Sequence, residues 1–562
     1  MTQAQSATSV LDFIQERVEK FADRPALCIK EGGAWREMTY AELSAQAKNL
    51  SSYFIEVGIQ SGDRVALLSE GKPEWGVAFF GAIRAGAIVV PLDVKLTEAE
   101  LTNILSDCTP KVVLADSKHM PVVDALAKKV TSIKHILNID PGKGDAEHPG
   151  ISTLAPKEAK RRERSEDEVA LIVYTSGTTG NPKGVMTTFG NLMFEVTRFK
   201  EMAGLTENDR FLSILPLNHL LELTGGFLGM LTQGATICFC QSLFPQEIIK
   251  TMAERQITGM IAVPLFFKTL KGAIEREAKK AGEAMLQKLQ AGLEKAEAMP
   301  HEMRRQMFGM VHQQFGGKLR VFVSGGAPLD VEVAHFFERL GIPLLQGYGL
   351  TETSPVITGN SLSANRLGSV GRALPGVELR IDLKDKADTE GEILCRGPHV
   401  MKGYYKREDL TNEVIDKDGW FHTGDLGHID AEGFLHITGR IKNLIVLGGG
   451  KKVFPEEVET ALGGGTTIKE ICVLSRKQSD GFKEGTEEVC AVVVASDALS
   501  AECKGDKTQV QKRVKEEMDK LCENLAPYKR PTRIFFYEGD LPKTATRKVK
   551  RPLVAEWLQS QN

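Results

Sequence analysis

Along most of its length the chain alternates short apolar runs with amphipathic stretches, and that alternation leaves few folds open. Runs at 65–69, 87–91 and 112–115 read as strands, while 41–57, 75–85 and 98–106 carry apolar residues at helical spacing. The rhythm continues through strand-like runs at 170–174, 211–215, 236–239, 260–263 and 319–323, several ending in Gly-, Pro- or Ser-rich turns. It predicts an α/β protein, in which ligands bind beyond the carboxyl ends of strands. The 562 residues exceed what one hydrophobic core organises, so at least two domains are expected. A break at 439–443 precedes strands at 471–474 and 489–494 and a helix near 509–522. The expected organisation is a large multi-sheet N-terminal domain, 1–439, and a small α+β C-terminal domain, 440–562, joined by a hinge.

Bulk charge and cysteine usage remove several function classes. Lys and Arg number 71 against 74 Asp and Glu, so no global basic field exists to hold nucleic acid. The 9 cysteines show no CxxC or Cys/His metal spacing and read as reduced thiols of a cytosolic protein. The N-terminal segment has Leu11, Ile14 and Val18 at helical spacing and lacks a basic start followed by an unbroken apolar stretch, which reads as a mature cytoplasmic start. The most apolar window, 75–92, is interrupted by Arg84 and three glycines, and it reads as a buried helix running into a strand rather than a membrane span. Residues 268–316 break the α/β rhythm with a charged stretch in which Met285, Leu289 and Leu293 form a narrow stripe; a solvated helical hairpin is expected there. Peripheral contact with a membrane and the oligomeric state are left open.

The chemistry starts at YTSGTTGNPKGV, 174–185, directly behind an apolar strand. Thr175, Ser176, Thr178 and Thr179 supply hydroxyls, Gly177, Gly180 and Gly184 supply backbone freedom, and Lys183 supplies an ammonium. Glycine lets a backbone close around an anion, so this composition suits phosphate oxygens. It is not a Walker A loop, because Gly184 follows Lys183 and no GK[ST] occurs here.

This segment resembles the phosphate-loop signature of the adenylate-forming enzymes, which include acyl-CoA synthetases, peptide-synthetase adenylation domains and beetle luciferases. Further motifs follow in that superfamily's order over nearly the whole chain. VSGGAPL, 323–329, is similar to the adenine-side loop, which implies nucleotide contacts for Gly325, Gly326 and Ala327. QGYGLTETSP, 346–355, resembles the nucleotide and magnesium motif: Tyr348 and Gly349 at the base, Thr351 at the α-phosphate, Glu352 on Mg²⁺. In GWFHTGDLG, 419–427, Asp425 matches the carboxylate that accepts from both ribose hydroxyls, and Arg440 matches a cation on the same ribose. GRIKNLIVLGGGKKVFPEEVE, 439–459, resembles the interdomain hinge, with Lys442 as pivot and Gly450 on the nucleotide side. LPKTATRKVKR, 541–551, is similar to the catalytic-lysine loop, which assigns that lysine to Lys548, although Arg547 stands where glycine is common. His219, in LPLNHLLEL, matches a position beside the acyl-adenylate, and Glu222, Gly225 and Phe227 follow on the same expected helix, whose face is expected to border the acyl group.

The resemblance implies an ATP-dependent acid:CoA ligase using ATP, Mg²⁺ and CoA. A carboxylate attacks the α-phosphorus to give acyl-AMP and pyrophosphate, and the CoA thiol then takes the acyl group. The first step asks for charge stabilisation more than acid–base machinery, since its nucleophile is already ionised. Lys442, where many relatives carry Asp, and the 268–316 insertion are similar to long-chain acyl-CoA synthetases, which makes medium- or long-chain fatty acids the expected substrates. Two other readings stay open: an adenylate-former that delivers its acyl group to a carrier protein, and a catalytically silent nucleotide-binding scaffold.

Overall fold

The computed structural model describes residues 10–155, 162–175, 182–383, 389–447, 451–463, 465–477, 487–543 and 549–561. The chain forms two compact units. One comprises Met1–Glu378 with Cys395–Phe421, the other Leu379–Leu394 with His422–Asn562. The fold is α/β, as the alternation requires, and the strands read from the sequence at 112–115 and 236–239 are Val112–Ala115 and Thr236–Phe239. The 439/440 boundary expected for a pivot lies inside the second unit, whose compactness gathers in the strands flanking Asp425.

The first unit holds a nine-stranded and a seven-stranded sheet. In the nine-stranded sheet, Pro25–Glu31, Thr236–Phe239, Arg210–Ser213, Gly259–Ala262, Val321–Ser324 and Leu344–Tyr348 are successive parallel neighbours. Their carboxyl ends therefore share one edge, and the segments leaving that edge carry His219, Gly325 to Ala327 and Gly349 to Glu352. These strands are nearly continuous apolar runs because both faces of a parallel sheet are covered.

The window read as a buried helix entering a strand is Pro73–Arg84 followed by Ile88–Leu92. Every residue of that helix except Arg84 is buried, as expected for a helix apolar all round. Trp75 and Phe79 stack at 5.4 Å, and Phe227 meets Trp75 edge-on at 5.6 Å. Among the described residues no helix is long and apolar enough to cross a membrane. The insertion differs from the expected hairpin. It forms four helices, Pro264–Lys280, Glu283–Ala296, His301–Met307 and Gly309–Gln314. Leu289, Ala296, Phe308 and Phe315 bury into the core beside Phe267 and Phe322, so the stripe is a packing face and the charged residues cover its outside.

The second unit contains a four-stranded sheet, Glu378–Asp382, Gly391–Arg396, Phe421–Ile429 and Leu435–Arg440, apart from strand ends at the junctions. It also contains a three-stranded sheet of Ile468–Lys477, Glu487–Ala495 and Arg533–Phe536. The helix Lys507–Leu521 buries Val510, Val514 and Met518 on one face against this sheet's core, a four-residue spacing that an amphipathic helix requires.

Candidate active site

The strand before the Gly- and Thr-rich motif, Val169–Thr175, turns back as Lys183–Thr188, with Thr175 paired to Lys183 and Tyr174 to Gly184. The motif is thus bounded by an antiparallel hairpin. Ser176, Gly177, Thr178, Thr179 and Gly180 lie outside the described residues. A third strand, Gly403–Tyr404, adds to the hairpin with Tyr404 opposite Val185 and Gly403 opposite Met186. The ammonium of Lys183 lies 5.0 Å from the centre of the Tyr404 ring. The Tyr404 hydroxyl donates to Glu352 Oε1 at 2.8 Å, and the Met401 amide donates to the Glu352 carbonyl at 2.8 Å. Burial and the neighbouring Glu352 carboxylate hold the Tyr404 phenol far above the ordinary tyrosine range, so its proton stays in place as a donor.

Glu352 belongs to the turn that follows Leu344–Tyr348 at the shared carboxyl edge. Tyr348 is buried, and Thr351–Thr353 form a 3₁₀ turn closed by the Leu350 amide donating to Thr353 Oγ1 at 2.9 Å. A side chain at Gly349 would place its Cβ 2.1 Å from the Pro355 carbonyl oxygen, which leaves glycine as the residue that fits. Beside this turn, Val321–Ser324 ends in Gly325, Gly326 and Ala327, and Gly326 has φ +81°.

His219 is half-buried at the entry to a π-helical stretch, Leu221–Gly229, and its carbonyl accepts from the amides of Glu222 and Leu223 at 3.1 and 3.0 Å. The expected helix is present in its wider π form. Phe227 turns into the aromatic cluster of Trp75, Phe79 and Phe80. A Cβ on Gly225 would strike the Phe199 ring at 2.6 Å, and one on Gly226 would strike the Glu222 carboxyl at 2.7 Å, so both positions are closely packed.

Glu222 is fully buried, and burial pushes its carboxyl up to about 8, with Ser213 pulling the other way. The fully buried Glu195 is displaced upward for the same reason, against the Val356 amide and Arg198. For an acid, a raised native value means the folded state holds its proton more tightly, so stability falls from the ordinary carboxylate range up to about 8 and is level above it. Each unit of displacement is worth about 1.4 kcal/mol. Glu222→Gln removes this titration. Its stability relative to the parent chain should improve by a few kcal/mol between pH 5 and pH 8.5, read as urea midpoints; parallel pH profiles for the two proteins would exclude Glu222 as the group.

In the second unit, Asp425 and Arg440 are direct cross-strand partners, and Arg440 Nε lies 2.6 Å from Asp425 Oδ1. The Asp425 amide donates to Thr423 Oγ1 at 3.0 Å, and Thr423 Oγ1 donates to the Ile393 carbonyl at 2.7 Å, which fixes the buried carboxylate's strand. Lys442 is exposed in the 3₁₀ turn Ile441–Asn443. Gly450 and Lys548 lie outside the described residues.

Two family models cover this arrangement. The AMP-binding enzyme model matches residues 14–405, and the AMP-binding enzyme C-terminal domain model matches 457–548. The chain is an adenylate-forming, AMP-binding enzyme. This adenylate-former is 30% identical to the long-chain-fatty-acid–CoA ligase FadD15 of Mycobacterium bovis, over 93% of the chain and 91% of the relative. It is 29% identical to a feruloyl-CoA synthase of an Amycolatopsis species, over 93% and 94%. Among solved structures it is similar to ATP-bound MatB from Rhodopseudomonas palustris, with 28% identity, a TM-score of 0.77 and coverage of 98% and 99%. The chain thus belongs to the acyl-CoA ligase branch of the adenylate-forming enzymes, whose members act on different acids.

Sequence reasoning about this adenylate-former missed Tyr404 and Glu195. Gly403–Tyr404 is a two-residue strand, too short to carry a periodic signal, and Glu195 is a buried acid on the amphipathic helix Phe189–Ala203, whose other acid, Glu201, is exposed. Among the described residues no group of three or more His, Cys, Asp or Glu could hold a metal by itself. Mg²⁺ typically takes one or two carboxylates plus substrate phosphates, so the single carboxylate of Glu352, held by Tyr404, fits it.

Proposed function

We propose that this enzyme converts a fatty acid, ATP and CoA to acyl-CoA, AMP and pyrophosphate through an acyl-adenylate. The observation that carries the reading is the linked set Lys183, Tyr404 and Glu352, which sets an ammonium at the end of the phosphate hairpin and a carboxylate on one aromatic ring. Lys183 neutralises phosphate oxygens, and Thr351 donates its hydroxyl to the α-phosphate. Glu352 would hold Mg²⁺, which when bound would offset the charge that develops on leaving pyrophosphate. Tyr348 covers the adenine beside Gly325, Gly326 and Ala327, and Gly349 lets the chain pass close by. Asp425 accepts from the ribose hydroxyls while Arg440, its ion-pair partner, steadies the carboxylate. His219 lines the acyl side. Lys548 supplies a second cation for adenylation, and Lys442 is the pivot that removes it before CoA attacks.

The fatty-acid assignment is supported by the full-length similarity to a long-chain ligase, by Lys442 and by the helical insertion. The feruloyl-CoA synthase, nearly as similar over the same span, supports a second reading in which the acid is an aryl-substituted one. A pyrophosphate-release screen over acids of increasing length, with and without CoA, separates them. Activity should climb along the series, each methylene contributing about 1–3 kcal/mol of discrimination at most. A preference for acetate or benzoate would refute the fatty-acid reading, ferulate as best substrate would establish the second, and acyl-AMP persisting despite CoA would indicate a carrier-protein acceptor. No pyrophosphate release with any of the acids would leave the scaffold.

A further inference from the structure

We propose that Tyr404 is a positioning residue that sets the metal-binding carboxylate and the phosphate-loop lysine as one unit. The inference rests on the reading of Glu352 as metal ligand and Lys183 as phosphate contact.

The placement follows from strand geometry. Tyr404 is directly opposite Val185, and paired residues share a sheet face, as does the residue two positions along either strand. Lys183 is that residue, which is why its ammonium reaches the Tyr404 ring, 5.0 Å from the centroid. A cation over an aromatic face is held by the ring's quadrupole, a contact that uses none of its N–H donors. The hydroxyl at the other end of the same ring donates to Glu352 Oε1 at 2.8 Å.

Glu352 is thereby fixed twice. Its backbone carbonyl accepts from the Met401 amide at 2.8 Å, and its carboxylate accepts from Tyr404, three residues further along the same segment. With Oε1 committed to the Tyr404 hydroxyl, the carboxylate is held in one orientation, and Oε2 is the oxygen turned to a cation. Hydrogen-bonded supporting groups of this kind orient metal ligands, and their loss typically lowers metal affinity 10–100-fold. Tyr404 is buried, so its ring and hydroxyl are held in place between Lys183 and Glu352. A residue that only packs would need the ring and not the oxygen.

Phenylalanine separates the two roles, since it keeps the ring under Lys183 and deletes the hydroxyl. The test uses the full-length enzyme with Mn²⁺ as the probe: free Mn²⁺ is measured by electron paramagnetic resonance during titration with ATP, and metal-free ATP affinity is measured by calorimetry. Tyr404→Phe should weaken Mn²⁺ retention in the ATP complex by about tenfold and leave metal-free ATP affinity unchanged. Tyr404→Leu should weaken both, because Lys183 loses its ring. Pyrophosphate exchange should show the same shift as a higher Mg²⁺ requirement for Tyr404→Phe, with the rate restored at saturating Mg²⁺. Unchanged Mn²⁺ affinity in Tyr404→Phe, with Glu352→Gln weakened, would overturn the inference alone. Unchanged Mn²⁺ affinity in Glu352→Gln would overturn the metal-ligand reading itself, and this inference with it.

Discussion

With Lys548 replaced by alanine, acyl-adenylate formation should slow by about 10²–10³, while thioester formation from supplied acyl-adenylate and CoA proceeds at the parent rate. The magnitude is that of deleting one preorganised donor aimed at developing charge, roughly 2.7–4 kcal/mol. The first half-reaction expels pyrophosphate, the step in which Lys548 is proposed to face the phosphates, and the second expels AMP after the pivot has withdrawn it, so only the first should respond. Lys543 and Val549 form an antiparallel bridge. Arg551 donates to the Val473 carbonyl at 2.7 Å and to Glu459 Oε2 at 2.5 Å. These contacts of described residues do not involve Lys548, so the variant should leave the unit folded. The comparison is pyrophosphate exchange against single-turnover thioesterification. Equal losses in the two assays would give Lys548 a general structural role instead.

Lys442→Pro should separate the half-reactions in the opposite sense. Pyrophosphate exchange is expected within a few-fold of the parent enzyme, and acyl-CoA synthesis should fall by about 10²-fold, the scale set by a misplaced reacting group. Lys442 is exposed in a 3₁₀ turn, whose φ of about −50 to −70° is close to the −65° that proline imposes, so the variant can fold. It cannot, however, swing through the φ change a pivot demands, and it also restricts Ile441. The segment has little other slack, because Asn443 Nδ2 donates to Glu456 Oε1 at 2.5 Å. If the proline variant made acyl-CoA at the parent rate, Lys442 would not be the pivot.

The sequence announced composition and motif more readily than pairing. Val112–Ala115 and Thr236–Phe239 were legible to the residue because a strand buried on both faces is an unbroken apolar run. The motifs of the site were legible because dense Gly, Thr and Lys behind a strand is a composition that serves few other purposes. Pairing was hidden. Nothing local says that Lys183–Thr188 returns antiparallel to Val169–Thr175, or that Gly403–Tyr404 joins them from far downstream. At 221–229 the composition announced a helix but not its π form. The insertion went from an expected hairpin to four helices because Phe308 and Phe315, outside the stripe, supplied the burial.

The place of Pro25–Glu31 in the nine-stranded sheet has a bearing on how the protein is made. Its parallel neighbour is Thr236–Phe239, with Leu27 opposite Ile237 and Ile29 opposite Phe239. On the ribosome, at roughly 5–20 residues per second, the first strand emerges on the order of ten to forty seconds before that neighbour exists. Ala34–Thr39 can cover one side of it at once, but the other waits with its amides and carbonyls unmatched. A nascent chain in that interval presents an open apolar edge, the feature that chaperones bind and that seeds aggregation. Yield in a heterologous host should therefore depend on translation speed across the first 240 or so codons more than on the stability of the finished enzyme.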